Sequence, residues 1–384
     1  MRIGINATFA CERHNGITTF VDGALRCLRA LGHEVYVYSS SERYAGLDGV
    51  VLRRTPANLA DVSAAGSLRR FAWMQAVLPG KLRRDRVDLF LAPSVEALLH
   101  SPVPQIVTVH DLIPLFHPDE GPRQRHYYKH VLPRILRNST RVWVVSGHTR
   151  QDVIEQYALR PEQVSVIYNS VRDELFDPAF GTVPPQDFSL RRYFLFVGSF
   201  SPRKNLESVI RAFARVHAEV PEKLVVVAYP DRWQKGCQSL ARELGVLDKM
   251  VFYNGLTDSE LAYLYRHATA LVLLSKYEGF GFPPLEAMAT GTPAITSDST
   301  SLAEVVGDAG ISVAYGDVAA AGEAMRMLSE DSGYRQALQK KARLRAGQFT
   351  WTSTMEQMRT ILGSGVQPVH NDRAAEVLFH ASNG

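Results

Sequence analysis

The chain has 384 residues, of which 46% are hydrophobic and 21% charged, and its formal net charge is +4 at pH 7. Those proportions belong to a folded globular protein and exclude a disordered or fibrous chain. A charge this small does not suggest a nucleic-acid binder, which would carry a dense basic stripe, and the length suits two domains of about 150–200 residues each.

Short apolar runs alternate with longer amphipathic stretches, the pattern of βαβ units around a parallel sheet. Residues 1–6 read as a strand and 16–31 as a helix that Gly32 ends. Residues 34–38, 89–92, 105–109, 141–145 and 164–168 read as further strands, with Ser146 placed to cap the helix after the run at 141–145. At 177–192 the run DPAFGTVPPQDFSLRR holds three prolines and a glycine without helical period, and reads as a linker. The alternation then restarts, with strands at 193–197, 224–228, 251–253, 270–274 and 293–297 and helices at 205–218, 238–244 and 284–290. The expected fold class is α/β, with two Rossmann-like, doubly wound parallel-sheet domains, 1–176 and 193–349, facing across a cleft. Ligands of such sheets bind beyond the carboxyl ends of the strands, so the chemistry is sought in the loops there.

Cys11, Cys27 and Cys237 form no C-x-x-C and read as buried, reduced thiols of a cytosolic protein. The N-terminus lacks the apolar core of a signal peptide, and no stretch approaches the roughly 20 apolar residues of a membrane span. The expected location is cytoplasmic, with any membrane contact peripheral.

Four strand-end loops stand out. In K-Y-E-G-F-G-F-P-P-L-E, residues 276–286, Glu278 lies beyond a buried strand, and Gly279 and Gly281 let the backbone approach a ligand closely. Pro283 and Pro284 suit a helix start that places Glu286 in the first turn. Taken singly, Glu286 reads as a glutamate offsetting the helix dipole and Glu278 as a solvated charge. In G-S-F-S-P-R-K-N, residues 198–205, Gly198 permits a tight turn before Arg203 and Lys204. Cations at a helix start oppose its dipole, so an anion is expected against them, and a diphosphate suits; the plainer reading is a surface charge pair. His110 opens the run H-D-L-I-P-L, where Asp111 is placed to orient either the imidazole or the loop; a hydrogen-bonded structural histidine is the plainer reading. Gly16 sits at the turn after the first strand.

The segment E-G-F-G-F-P-P-L-E, continued by A-M-A-T-G-T-P at 287–293, resembles the E-x7-E motif of retaining glycosyltransferases of GT-B fold, family four in particular. H-D-L-I-P-L is most similar to enzymes of bacterial surface-polysaccharide and O-antigen assembly, which often use GDP-mannose. The resemblance implies that Glu278 contacts hydroxyls of the transferred sugar and that Glu286 grips the ribose. It brings the amides of Gly279, Phe280, Gly281 and Phe282 to the sugar and diphosphate, and assigns the diphosphate to Gly198, Arg203 and Lys204. His110 falls beside the donor sugar, Gly16 near the diphosphate or acceptor, and Asn254 and Leu256 at the nucleobase. The catalytic group is then Glu278, His110, Arg203 and Lys204. A last helix, about 350–384, would cross back to the first domain with Trp351 as its anchor. The sequence departs from the family at Thr18, where relatives often show a second glycine, and at N-S-V-R, 169–172, where they often read N-G-V-D.

No D-x-D, Walker A motif or complete G-x-G-x-x-G occurs, and His126 and His130 share a helical face without a third ligand nearby. The expectation is transfer without metal or cofactor, from a nucleotide-sugar, GDP-mannose favoured, to a glycan or polyprenyl-linked glycan. A phosphorylase or epimerase of the same architecture, or a catalytically idle nucleotide-sugar-binding scaffold, are the alternatives. Arg69, Arg70, Lys81, Arg83, Arg84 and Arg86, with R-Q-R-H-Y-Y-K-H from Arg123, form either solvated helix faces or a docking surface for an anionic membrane.

Overall fold

The computed structural model describes residues 1–9, 16–61 and 63–363, and within them thirteen strands sort into two all-parallel sheets. The first holds β1 (Arg2–Asn6), β2 (Glu34–Ser39), β3 (Val50–Arg54), β4 (Leu89–Ala92), β5 (Gln105–Val109), β6 (Arg141–Val144) and β7 (Val164–Val166) in the order β3-β2-β1-β4-β5-β6-β7. The second holds β8 (Tyr193–Gly198), β9 (Lys223–Ala228), β10 (Met250–Tyr253), β11 (Ala270–Leu273), β12 (Ala294–Ser297) and β13 (Ile311–Val313) in the order β10-β9-β8-β11-β12-β13. The strand order reverses between β1 and β4 and again between β8 and β11, so each sheet has a switch point where its strand-end loops part. Strands β4 and β11 are buried at every position because helices cover both faces, and this makes them read as unbroken apolar runs. The architecture is the expected pair of Rossmann-like domains.

The helix Leu206–Val216 shows how local sequence aims the loop before it. Leu206, Val209, Ile210, Phe213 and Val216 recur at helical spacing and bury against the second sheet. The chain enters that helix through Asn205, whose φ of 54° lies in the left-handed region that asparagine tolerates. Its side-chain amide donates to the Leu274 carbonyl at 2.9 Å, which ties the end of β11 to the loop carrying Arg203 and Lys204.

The last described helix, Trp351–Gly363, packs on the helix Gly16–Ala30, and Met358 and Leu362 enter the core around β1 and β2. The chain therefore crosses back to its first domain. Trp351 is its anchor, lying so close over Gly23 that an added Cβ would meet the indole ring at 1.7 Å. The remainder of the expected 350–384 helix, beyond residue 363, falls outside the described residues, as does Cys11. Cys27 and Cys237 are buried free thiols. No helix among the described residues is long and apolar enough to cross a membrane.

Candidate functional site

The loops that follow β8, β11 and β5 converge. Glu278 is buried, with one carboxylate oxygen 2.7 Å from Lys204 Nζ and the other 3.2 Å from an Nη of Arg203. The Ser275 hydroxyl donates to it at 2.7 Å, and the Glu278 N–H donates to the Thr300 hydroxyl at 3.1 Å. Thr300 holds a φ of 59°, a costly backbone for a β-branched residue and one that persists where the surrounding contacts over-determine it. Burial pushes the Glu278 carboxyl upward, but the two cations outweigh it and hold the group below the usual carboxylate range. Glu278 is thus an ionised acceptor fixed from three sides, not a solvated loop charge.

Arg203 is also buried. Its Nη1 donates to the Tyr277 carbonyl at 2.8 Å, and its backbone N–H and Nε donate to the carboxylate of Glu120 at 3.1 and 3.0 Å. Glu120 belongs to the first domain, so the ion pair crosses the cleft. The anion expected against the two cations is therefore present as Glu278 and Glu120.

Glu286 stands apart from this cluster. The helix bearing it begins at Phe282, so Glu286 lies past the first turn and not within it; Gly281, at φ 112°, makes the entry that pulls the start forward. Its carboxylate accepts from the Tyr265 hydroxyl at 2.8 Å. Burial pushes its carboxyl above the ordinary value, opposed by the charge of Arg172 and the tyrosine hydrogen bond. Arg172 is itself paired with Asp258 at 2.5 Å.

His110 follows β5, and its Nε2 lies 2.8 Å from the Pro93 carbonyl. A carbonyl can only accept, so Nε2 carries the proton and Nδ1 is left as the bare nitrogen. Burial lowers the imidazole's pKa, which keeps it neutral at pH 7. Asp111 does not orient His110; it accepts from the Ile113 N–H at 2.9 Å and fixes the loop. The His110 carbonyl abuts Gly279 so closely that a Cβ there would sit 1.9 Å from the oxygen. Gly16 faces the Phe282 ring, and a Cβ added there would sit in van der Waals contact with it at 3.4 Å. Phe280 is buried in the second core against Phe282 and Phe349, so only its backbone is available to a ligand. Gly198 ends β8; Asn254 is exposed after β10, and Leu256 is partly buried against the second core.

Two family models match the chain: "Glycosyltransferase Family 4" over residues 14–175 and "Glycosyl transferases group 1" over residues 186–345. Together they place this chain in glycosyltransferase family four. The O-antigen chain mannosyltransferase RfbU of Salmonella typhimurium is 34% identical over 53% of this chain and 54% of its own length, so the chain matches about half of that relative. The O-antigen chain mannosyltransferase B of Escherichia coli is 28% identical over 66% of this chain and 68% of its own. Among solved structures, the sucrose-phosphate synthase of Thermosynechococcus elongatus superposes with a TM-score of 0.75 at 19% identity, covering 95% of this chain and 100% of that one. WaaG, a glycosyltransferase involved in lipopolysaccharide biosynthesis, superposes at 0.69 with 18% identity, covering 94% and 100%. These likenesses give the GT-B fold.

Several polar partners of the site carried no sequence signal. Glu120, Tyr265, Arg172, Thr300 and the Asp152 that accepts from the Tyr277 hydroxyl at 2.7 Å are each far along the chain from the group they serve. The basic surface also needs correction. Arg70 is buried, bound to Glu96 at 2.5 and 2.7 Å and to the Leu59 carbonyl at 2.7 Å, so it belongs to the interior. Arg69, Arg83, Arg84, Arg86 and Arg123 remain exposed, and the Phe71–Tyr127 ring contact sets the two basic segments side by side.

Proposed function

We propose that this glycosyltransferase moves a hexose from a nucleotide-diphospho-sugar, GDP-mannose favoured, to a hydroxyl of a glycan or lipid-linked glycan, with retention at the anomeric carbon. The observation that carries the reading is Glu278, buried, ionised and held by Lys204 and Arg203 beside the switch point of the second sheet. A fixed carboxylate there is an acceptor for sugar hydroxyls, and two cations beside it stabilise the charge that develops on a departing nucleotide diphosphate. In this reading Lys204 and Arg203 supply the positive charge without a metal. Glu286, its carboxylate already accepting one hydroxyl, takes the ribose. The neutral His110 presents Nδ1 toward the sugar, and Gly16, Gly198 and the amides of 279–282 line the diphosphate path. Among the described residues none stands out as a covalent nucleophile, so same-face attack by the acceptor hydroxyl is favoured. The mannosyltransferase names of the relatives support the donor.

The test is thermal stabilisation by GDP, UDP and dTDP, followed by mass-spectrometric detection of mannose transfer or GDP release from GDP-mannose. A ligand at a hundred times its Kd adds about 2.7 kcal/mol of stability, which such an assay resolves. Stabilisation by GDP alone supports the reading, and stabilisation by UDP alone redirects the donor. Nucleotide binding without any transfer favours the idle scaffold, and no response to any nucleotide overturns the nucleotide-sugar reading. The exposed arginines extend the proposal to peripheral docking on anionic lipid; equal co-sedimentation with neutral and anionic liposomes would rule that extension out.

A further inference from the structure

Four charges meet at the loop after β8: Arg203 and Lys204 against Glu278 and Glu120. They sum to zero. A diphosphate arriving at this balanced group would gain little, since each cation already faces a carboxylate at hydrogen-bond distance. One carboxylate has to yield, and the two are not held alike. Glu278 is tied within its own domain by Lys204, by the Ser275 hydroxyl and, through its backbone, by Thr300. Glu120 comes from the opposite domain, on a turn closed by its own N–H to the His117 carbonyl at 3.0 Å. Beyond Arg203, that turn is held to the second domain by Arg232, which donates to the Asp119 carbonyl at 2.5 Å.

The atoms Glu120 takes are telling. Its two oxygens accept from a backbone N–H of the loop and from the guanidinium Nε beside it, a pair of donors equally suited to two oxygens of a phosphate. Arg203 Nη2 makes no hydrogen bond among the described residues, so the guanidinium keeps one edge on which an incoming anion could begin to bind.

We infer that Glu120 is a built-in counter-anion of the phosphate loop: it holds the anion-binding donors of Arg203 until a donor diphosphate displaces it, and the turn 117–121 is released from the second domain in the exchange. This rests on the reading of 198–205 as the diphosphate loop. Displacement lowers the apparent donor affinity and couples donor arrival to movement of the turn, which packs through His117 against Tyr277, the neighbour of Glu278.

The experiment is calorimetric titration of the full chain with GDP, UDP and inorganic pyrophosphate. It compares wild type, Glu120→Gln, Glu120→Ala, Asp119→Asn, Arg203→Ala and Arg203→Ala/Glu120→Gln. Both Glu120 variants are expected to bind the responsive probe at least three-fold more tightly than wild type. Asp119→Asn removes the same charge one residue away without touching the contact, and its Kd should stay within about 1.5-fold of wild type. In the Arg203→Ala background the gain from Glu120→Gln should shrink, because only the backbone N–H of residue 203 is left for Glu120 to hold. Unchanged or weaker binding by the Glu120 variants overturns the inference, as does an equal gain in Asp119→Asn, which would be bulk electrostatics. If no protein, wild type included, binds any probe, the diphosphate reading itself falls. If wild type binds and Glu120→Gln binds no better, only the counter-anion falls.

Discussion

Glu278 lies in the loop after β11 and Glu286 in the helix that follows, and their surroundings push them in opposite directions. Glu278 has two cations within hydrogen-bond reach, so its ionised form is favoured despite burial. Glu286 has one tyrosine hydroxyl and an arginine already engaged with Asp258, and burial prevails. The consequence for stability follows from the sign. A carboxyl whose pKa is raised on folding contributes stability below its unfolded value, about 4.3, and that contribution is lost as pH rises through the folded value. Above that folded value Glu286 is a charge the fold tolerates. Glu286→Gln keeps an oxygen for Tyr265 and removes the charge, so urea unfolding at pH 7 should give a stability equal to or above wild type, the difference shrinking toward pH 4. Nucleotide affinity should fall at least tenfold, about 1.4 kcal/mol. A variant that binds normally but unfolds more easily would make Glu286 a structural partner of Tyr265 and no more.

At the scale of elements, the crossing of the helices Gly16–Ala30 and Trp351–Gly363 depends on one missing side chain. Helix propensity favours alanine over glycine by about 1 kcal/mol, yet a Cβ at position 23 would overlap the Trp351 ring. Overpacking of this kind costs about 1–3 kcal/mol, so after the propensity gain Gly23→Ala should destabilise the chain by up to about 2 kcal/mol in urea unfolding. Gly23→Ala/Trp351→Ala should cost less than the sum of the single changes, because removing the ring removes the clash. Additive losses would place the strain elsewhere. Elements such as these were unequally legible. The central strands β1, β4, β5, β8 and β11 announced themselves as apolar runs because both of their faces are covered. β3 and β13, at the sheet edges, are only partly buried and were not read as strands. In the loops, Gly279, Glu278, Arg203 and Lys204 were legible through their residue types and position after strands. That Glu278 grips both cations, or that Glu120 joins them, was not, since an ion pair between residues distant in sequence leaves no period or spacing behind.

The whole molecule is two sheets held in one closed arrangement by polar contacts across the cleft. The Ser146 and Thr149 hydroxyls donate to the Gly279 carbonyl at 2.7 and 3.0 Å. Glu304 accepts from the N–H groups of Gly147 and His148, and from the Tyr168 hydroxyl at 2.6 Å. Tyr277 is buried, with the Phe116, His117 and His148 rings beside it and its hydroxyl bonded to Asp152. Such contacts close a pre-shaped interface and are lost together when the surfaces are held apart, unlike the apolar cores within each sheet. Gly279 is where the approach is tightest, because the His110 carbonyl occupies the place of its Cβ. The carbonyl is backbone and cannot rotate aside as a long side chain would. Gly279→Ala should therefore leave each domain folded, with circular dichroism and the apolar cores intact, while forcing the closed faces apart. Small-angle scattering should show a larger radius of gyration than wild type. Transfer should fall by at least a hundredfold, since the proposed function needs His110 and Glu278 at one substrate, and only the meeting of these loops brings them together. Nucleotide affinity should change far less, because the residues assigned to the diphosphate and ribose lie mainly on the second domain. A variant with unchanged scattering and reduced transfer would assign Gly279 to direct ligand contact instead of closure. Unchanged transfer would mean that the closed arrangement is not the one in which the reaction runs.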